Sequence, residues 1–238
     1  VHRPRDGVHL TARYRSVSAG SSTPGTDPIT LGSIIYDFWY KSDVKYLGAA
    51  ATNGGSVDQW SDRYAGESAT TAAGANQNYS STLGIANGAG GILALSTPVG
   101  LTPPFTVYVL ANYGNTSIYP ICGGGSGFLD NISATAAVSN LQDNSGLYIL
   151  GGTIVNSGER LFRWRVTSGN AAYFKDGTTA EESLGSFPSY VQWEHIFGIP
   201  GVVAEATNNR TKRITAFSAD LVAGGQSTAV ETFINAAG

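Results

Sequence analysis

The chain has 238 residues, of which 42% are hydrophobic and only 13% charged, and its formal net charge is −3. So few charges argue against helical bundles and coiled coils, and a slightly acidic balance argues against nucleic acid, whose phosphates need a basic surface. The single Cys122 permits no intrachain disulfide, the three histidines (His2, His9 and His195) offer no zinc spacing, and no run approaches the roughly 20 apolar residues of a membrane-inserted helix.

Read in chain order, the first unit is electrostatic. Residues 1–15 hold Arg3, Arg5, Arg13 and Arg15 against Asp6, whereas the rest of the chain carries 10 basic and 16 acidic residues. Ser18-Ala19-Gly20-Ser21-Ser22-Thr23-Pro24-Gly25 follows with the composition of a flexible linker. This predicts an extended basic arm and linker over 1–26 and one compact domain over 27–238. With 31 Gly and 9 Pro in the chain, the domain is expected to be built of short strands joined by turns, because Gly in a helix interior costs about 1 kcal/mol.

Strands are predicted at Ser33 to Tyr40, Ile92 to Leu95 and, after Pro103-Pro104, at Phe105 to Leu110. The last is β-branched or aromatic at nearly every position and apolar on both faces, as an inner strand should be. Leu147 to Leu150 is a further candidate. Arg160 to Val166 alternates, which places Phe162, Trp164 and Val166 on a core face and Arg163 and Arg165 toward water. Ala171 to Lys175 runs into Asp176-Gly177, a pair that favours a two-residue type I′ hairpin. Val191, Trp193, His195 and Phe197 share one inward parity, and Ile214 to Phe217 supplies the last strand. At the C-terminus, Thr228-Ala229-Val230-Glu231 has the form of a capping box. Val230, Phe233, Ile234 and Ala237 then repeat with helical spacing, so a short terminal helix is expected.

Taken in order, several segments resemble the concanavalin A-like lectin/glucanase superfamily, particularly its laminin-G-like members found in secreted and phage-encoded proteins. Val57-Asp58-Gln59-Trp60-Ser61-Asp62 is similar to the family's Val-x-x-Trp-x-Asp segment, and Pro104-Phe105-Thr106-Val107-Tyr108-Val109 to its Pro-Phe-Thr strand. The Trp164 strand, the Asp176-Gly177 turn and the Ile214 to Phe217 strand with the terminal helix complete the series. One departure is that Ile85-Ala86-Asn87-Gly88-Ala89-Gly90-Gly91 stands where the family commonly has Phe-Asp-Gly. The resemblance implies an all-β, concanavalin A-like jelly-roll sandwich of two antiparallel sheets with a short C-terminal helix.

The same superfamily includes glycosidases, which need paired carboxylates. The chain contains no Glu-x-Asp pattern, and Glu181-Glu182 reads as a solvated pair past a turn. No Gly-x-Ser-x-Gly elbow exists, since Phe128 follows Gly127 in Gly123-Gly124-Gly125-Ser126-Gly127. These absences lead to the expectation that the chain is not an enzyme. Calcium is the one cofactor the resemblance suggests, with Asp130 and Asp143 as the candidate ligands; otherwise none is expected. A sugar site needs an aromatic plane and amide or carboxylate groups, and the segment after the central strand supplies them in Asn112, Tyr113, Asn115 and Tyr119. Four Asn-x-Ser/Thr sequons, beginning at Asn78, Asn115, Asn131 and Asn209, are the chance product of a chain rich in these residues. The expected function is that of a phage virion surface protein, a tail-fibre or capsid-decorating component. Its partners would be other virion proteins, further copies of itself and host-surface polysaccharide, with Arg3, Arg5, Arg13 and Arg15 docking it. The alternative is an extracellular polysaccharide-binding or polysaccharide-cleaving domain of a bacterial protein.

Overall fold

The computed structural model describes residues 25–73, 77–86, 91–112, 119–124, 131–134, 138–143, 149–154, 158–197 and 209–238. A 3-10 turn at Pro28–Thr30 precedes strands β1 (Ile34–Trp39), β2 (Val44–Tyr46), β3 (Ala49–Ala50), β4 (Ser56–Val57), β5 (Gln59–Ser61) and β6 (Ser68–Ala73). Next come β7 (Gln77–Ser80), β8 (Gly84–Ala86), β9 (Ile92–Leu101), β10 (Phe105–Asn112), β11 (Tyr119–Gly123), β12 (Asn131–Ala134) and β13 (Val138–Gln142). The chain closes with β14 (Ile149–Thr153), β15 (Glu159–Val166), β16 (Ala171–Asp176), β17 (Glu182–Ser186), β18 (Val191–Ile196), β19 (Arg210–Phe217) and helix α1 (Ser227–Ala237).

These strands form the expected jelly-roll sandwich of two antiparallel sheets. The first runs β17-β16-β15-β10-β19-β8-β7-β4, with β1 also paired to β19; the second runs β14-β13-β12-β11-β18-β9-β6-β5-β2-β3. Between them lies an apolar core in which Phe38, Trp60, Val107, Phe162, Trp164, Trp193 and Ile196 are fully buried. Cys122 is a buried part of this core. The order of the sheets explains why β10 lacks alternation. It sits between β15 and β19, and its outer face is covered in turn: Tyr108 and Leu110 pack with Phe217, Val230 and Ile234 beneath α1. A strand buried on both faces reads as an unbroken apolar run.

Four local readings are also corrected. Arg163 and Arg165 do point away from Trp164, but they do not meet water: each is over nine-tenths buried under α1 and the segment before it. The turn after β16 is not a two-residue hairpin, because Phe174 pairs with Glu182 and residues 177–181 form the connection, with Gly177 at φ 58°. The helix begins at Ser227, one residue before the expected cap, so Thr228 lies inside it and no side chain caps its first turn. A register shift between Trp193 and His195 breaks the common parity of β18: Trp193 is in the core, whereas His195 pairs with Ala94 on the outer face and is half-buried. Gly25 and Thr26 lie on the helix, Gly25 close to Phe233 and Thr26 donating its N–H to Ala229 O at 3.0 Å.

Candidate functional site

Charge on the outer face of the first sheet is organised around arginines. Arg165 grips Glu181 with two parallel bonds, Nε to Oε1 at 2.7 Å and Nη2 to Oε2 at 2.6 Å, and reaches Asp220 Oδ2 at 2.9 Å with Nη1. Its guanidinium lies 4.0 Å from the Tyr173 ring centroid. Arg163 shares Glu181 at 2.7 Å and turns its other amine to Ser227 and Glu231 on α1. Burial raises the Glu181 carboxyl, but the hydrogen bonds from Arg165 and Arg163 outweigh it and hold the group below the ordinary carboxylate value. Glu181 is therefore not the solvated acid its Gly/Thr-rich surroundings suggested. The Tyr108 hydroxyl, pushed up to about 12 by burial, joins the cluster at Ser227 Oγ, 2.7 Å away.

Beside this clamp, between α1 and the β15–β16 hairpin, opens a cleft of about 520 Å³. Leu161 gives it an apolar wall, and Glu159, Arg160, Lys175, Thr178, Glu231 and Asn235 bring polar groups to it. Lys175 Nζ donates to Glu231 Oε2 at 2.7 Å, Glu159 is held by Lys212 Nζ at 2.9 Å, and Arg160 Nε lies 2.8 Å from Asp176 Oδ1. The charges in the cleft are thus matched within the protein, while Asn235 and Thr178 stay exposed. Such a surface has fixed donors and acceptors but does not demand a charge of its ligand. The sequence marks Glu231 only as part of a capping box and none of these residues as part of a site. Lys175 and Glu231 are 56 positions apart, and only the docking of the helix brings them together.

The structure describes only some of the residues singled out from sequence. Asn112 ends β10, half-buried and paired with Glu159 and Arg210 in the first sheet, whereas Tyr119 opens β11 in the second sheet. Tyr113, Asn115, Asp130, Arg3, Arg5, Arg13 and Arg15 lie outside the described residues. Asp143 follows β13 and is buried. Among the described residues no group of three His, Cys, Asp or Glu side chains is placed to hold a metal ion. Asp58 and Asp62, on either side of Trp60, are turn-makers: Asp58 accepts the N–H of Leu47, and Asp62 accepts those of Asp37 and Ala65. Burial raises the Asp62 carboxyl above its ordinary value against these backbone bonds. Of the sequons, Asn209 is fully buried and Asn78 exposed.

A second charged cluster lies under the 3-10 turn. Asp37, fully buried, accepts from Arg213 Nε at 2.7 Å, Thr215 Oγ1 at 2.7 Å and Arg63 Nη1 at 2.7 Å, and Arg63 reaches on to Asp27 at 2.9 Å. It ties β1, β19 and the entry of the chain into one unit.

No family model matches the sequence, and no curated protein is similar to it. Among solved structures, Trypanosoma rangeli sialidase matches with a TM-score of 0.51 at 13% identity, covering 85% of this chain and 33% of that one. The same sialidase in complex with sialic acid matches at 0.51 and 12% identity, over 85% and 33%. The binding domain of Paraclostridial Mosquitocidal Protein 1 matches at 0.48 and 9% identity, over 84% and 52%. At such identities the likeness is one of fold, a β-sandwich, and the chain spans about a third of the sialidase chains. These matches correct the expectation that the chain is not an enzyme, since solved structures sharing its fold are those of an enzyme. The missing Glu-x-Asp pattern tests only carboxylates borne on one strand. Carboxylates from separate elements can also line one cleft, as Glu159 of β15 and Glu231 of α1 do.

Proposed function

We propose that the chain is a glycan-binding β-sandwich module of the concanavalin A-like type, and that the cleft between α1 and the β15–β16 hairpin receives the sugar. The observation that supports this most directly is the composition of that cleft. An apolar wall at Leu161 stands among a carboxamide, a hydroxyl and internally neutralised charges, and this suits a ligand with an apolar ring edge and many hydroxyls. The module is displayed on a virion surface, with copies of itself and other virion proteins as partners and the basic arm as its tether. This placement draws on the charge of residues 1–15 and on the family resemblance; an extracellular polysaccharide-binding protein is the alternative setting.

A glycan array probed with the full chain is expected to show binding, and the double variant Asn235→Ala/Thr178→Ala is expected to weaken it about tenfold or more. Two lost hydrogen bonds at about 0.5–1.5 kcal/mol each correspond to that change. Absence of binding to every glycan, or equal binding by the double variant, would reject the assignment. The same incubations should be assayed for new reducing ends, because Glu159 and Glu231 share the cleft; release of sugar would establish cleavage in addition to binding.

A further inference from the structure

The opposite face of the sandwich carries a second polar depression, of about 340 Å³, lined by Gly48, Asp58, Gln59, Thr70 and Thr71. Gln59 and Thr70 are cross-strand partners on β5 and β6, and their neighbours Trp60 and Ala69 point into the core, so both project from the outer face of the second sheet. The side chains at this place are held in position by the protein. Gln59 spends its amide hydrogens on Ser61 Oγ at 3.3 Å and Ser68 Oγ at 3.0 Å, which leaves its carbonyl oxygen to accept. Asp58 is fixed from three sides: its N–H donates to Lys45 O, its carbonyl accepts the Thr71 N–H at 2.9 Å, and Oδ2 accepts the Leu47 N–H at 2.8 Å.

Leu47 and Gly48, at φ 50° and 80°, are the two central residues of the turn that joins β2 to β3, the positive-φ pair a two-residue hairpin requires. Asp58 accepts the Leu47 N–H and so fixes the tip of this hairpin, and with it Gly48, at the edge of the depression.

We infer that this depression is a second glycan subsite, selective for uncharged sugars, so that one chain binds two glycan strands on opposite faces; the inference rests on the glycan-binding reading above. Asp58 and Gln59 offer acceptors for sugar hydroxyls and Thr70 offers a hydroxyl donor. Asp58 is the one charged side chain lining the depression, and it repels an anionic sugar.

The test is calorimetric titration of the full chain with cello-, malto-, laminari- and xylo-hexaose. At least one of them is expected to saturate at two per chain. Gln59→Ala/Thr70→Val, placed on exposed or half-exposed positions, should reduce this to one, and Asn235→Ala/Thr178→Ala should remove the other. A hexamer of uronic acid should bind the Asp58 site roughly tenfold or more weakly than the neutral sugars. Saturation at one per chain, lost in the Asn235 variant and untouched in the Gln59 variant, would overturn the second subsite while leaving the helix cleft standing. Saturation at one, lost only in the Gln59 variant, would support the subsite and remove the cleft. Binding of none of the four sugars would overturn both, and equal binding of the uronic acid hexamer would overturn the selectivity for uncharged sugars.

Discussion

Asp37 shows how much can depend on one carboxylate. It sits on the face of β1 away from Phe38 and neutralises Arg213 and Arg63, with Thr215 completing its bonds. Removing one partner of a buried pair leaves the others charged and desolvated, so Asp37→Leu is expected to cost about 3–5 kcal/mol in urea unfolding. By contrast, Lys45 pairs with Asp43 at 2.9 Å in solvent, and Lys45→Ala should change stability by no more than about 1 kcal/mol. A comparable small loss for both would mean that the Asp37 cluster is dispensable. Sequence reading passed over Asp37 because a lone acid within an apolar strand carries no sign of its partners, which come from β19 and from Arg63 beyond β5. His195 shows the reverse: its alternation with Trp193 looked informative, but the register breaks between them, where the partner on β9 jumps from Val99 to Ala94, and His195 turns to the other face.

At the level of elements, α1 is both an apolar lid and one half of a charged clamp. Val230 and Ile234 are fully buried on Tyr108, Leu110 and Leu161, a contribution of about 1.5–3 kcal/mol each, and Ser227 and Glu231 complete the Arg163 cluster. The clamp predicts a pH dependence. Glu181 is held below its ordinary 4.5 in the fold, so its contribution is present above that value and is lost as pH falls through the folded value. Asp62 works oppositely, since its folded value is raised above 3.8 and its protonation favours the fold. Denaturant stability measured from about pH 6 downward is therefore expected to fall less steeply in Glu181→Gln and more steeply in Asp62→Asn. Identical slopes in Glu181→Gln and the unaltered chain would contradict the clamp. The helix itself was legible from its 3.6-residue spacing, and β10 from its unbroken apolar run. What alternation along β15 did not reveal was its cover: period two assigns Arg163 and Arg165 to the face away from the core, but only a helix some 60 residues later decides that this face is dry.

Across the whole molecule, the two outer faces of the sandwich differ in how they are covered. Part of the first sheet is covered by α1, the 3-10 turn and their ion pairs, and the cleft at Asn235 opens beside them. The second sheet is uncovered at β5 and β6, where Gln59, Thr70 and Asp58 stand in a fixed arrangement. The sandwich was readable from ordered strand motifs, whereas neither opening was: the helix cleft gathers residues from β15, β16 and α1, and the depression at β5 and β6 is lined by residues whose sequence marks only a strand and its turns. The most direct test of glycan binding at the helix cleft is amide chemical-shift mapping of the full chain during titration with the neutral hexasaccharides. The expected result is a set of saturable shifts that includes Lys175, Thr178, Glu231 and Asn235. Saturable shifts that leave all four unmoved, or no shifts with any of the sugars, would contradict it.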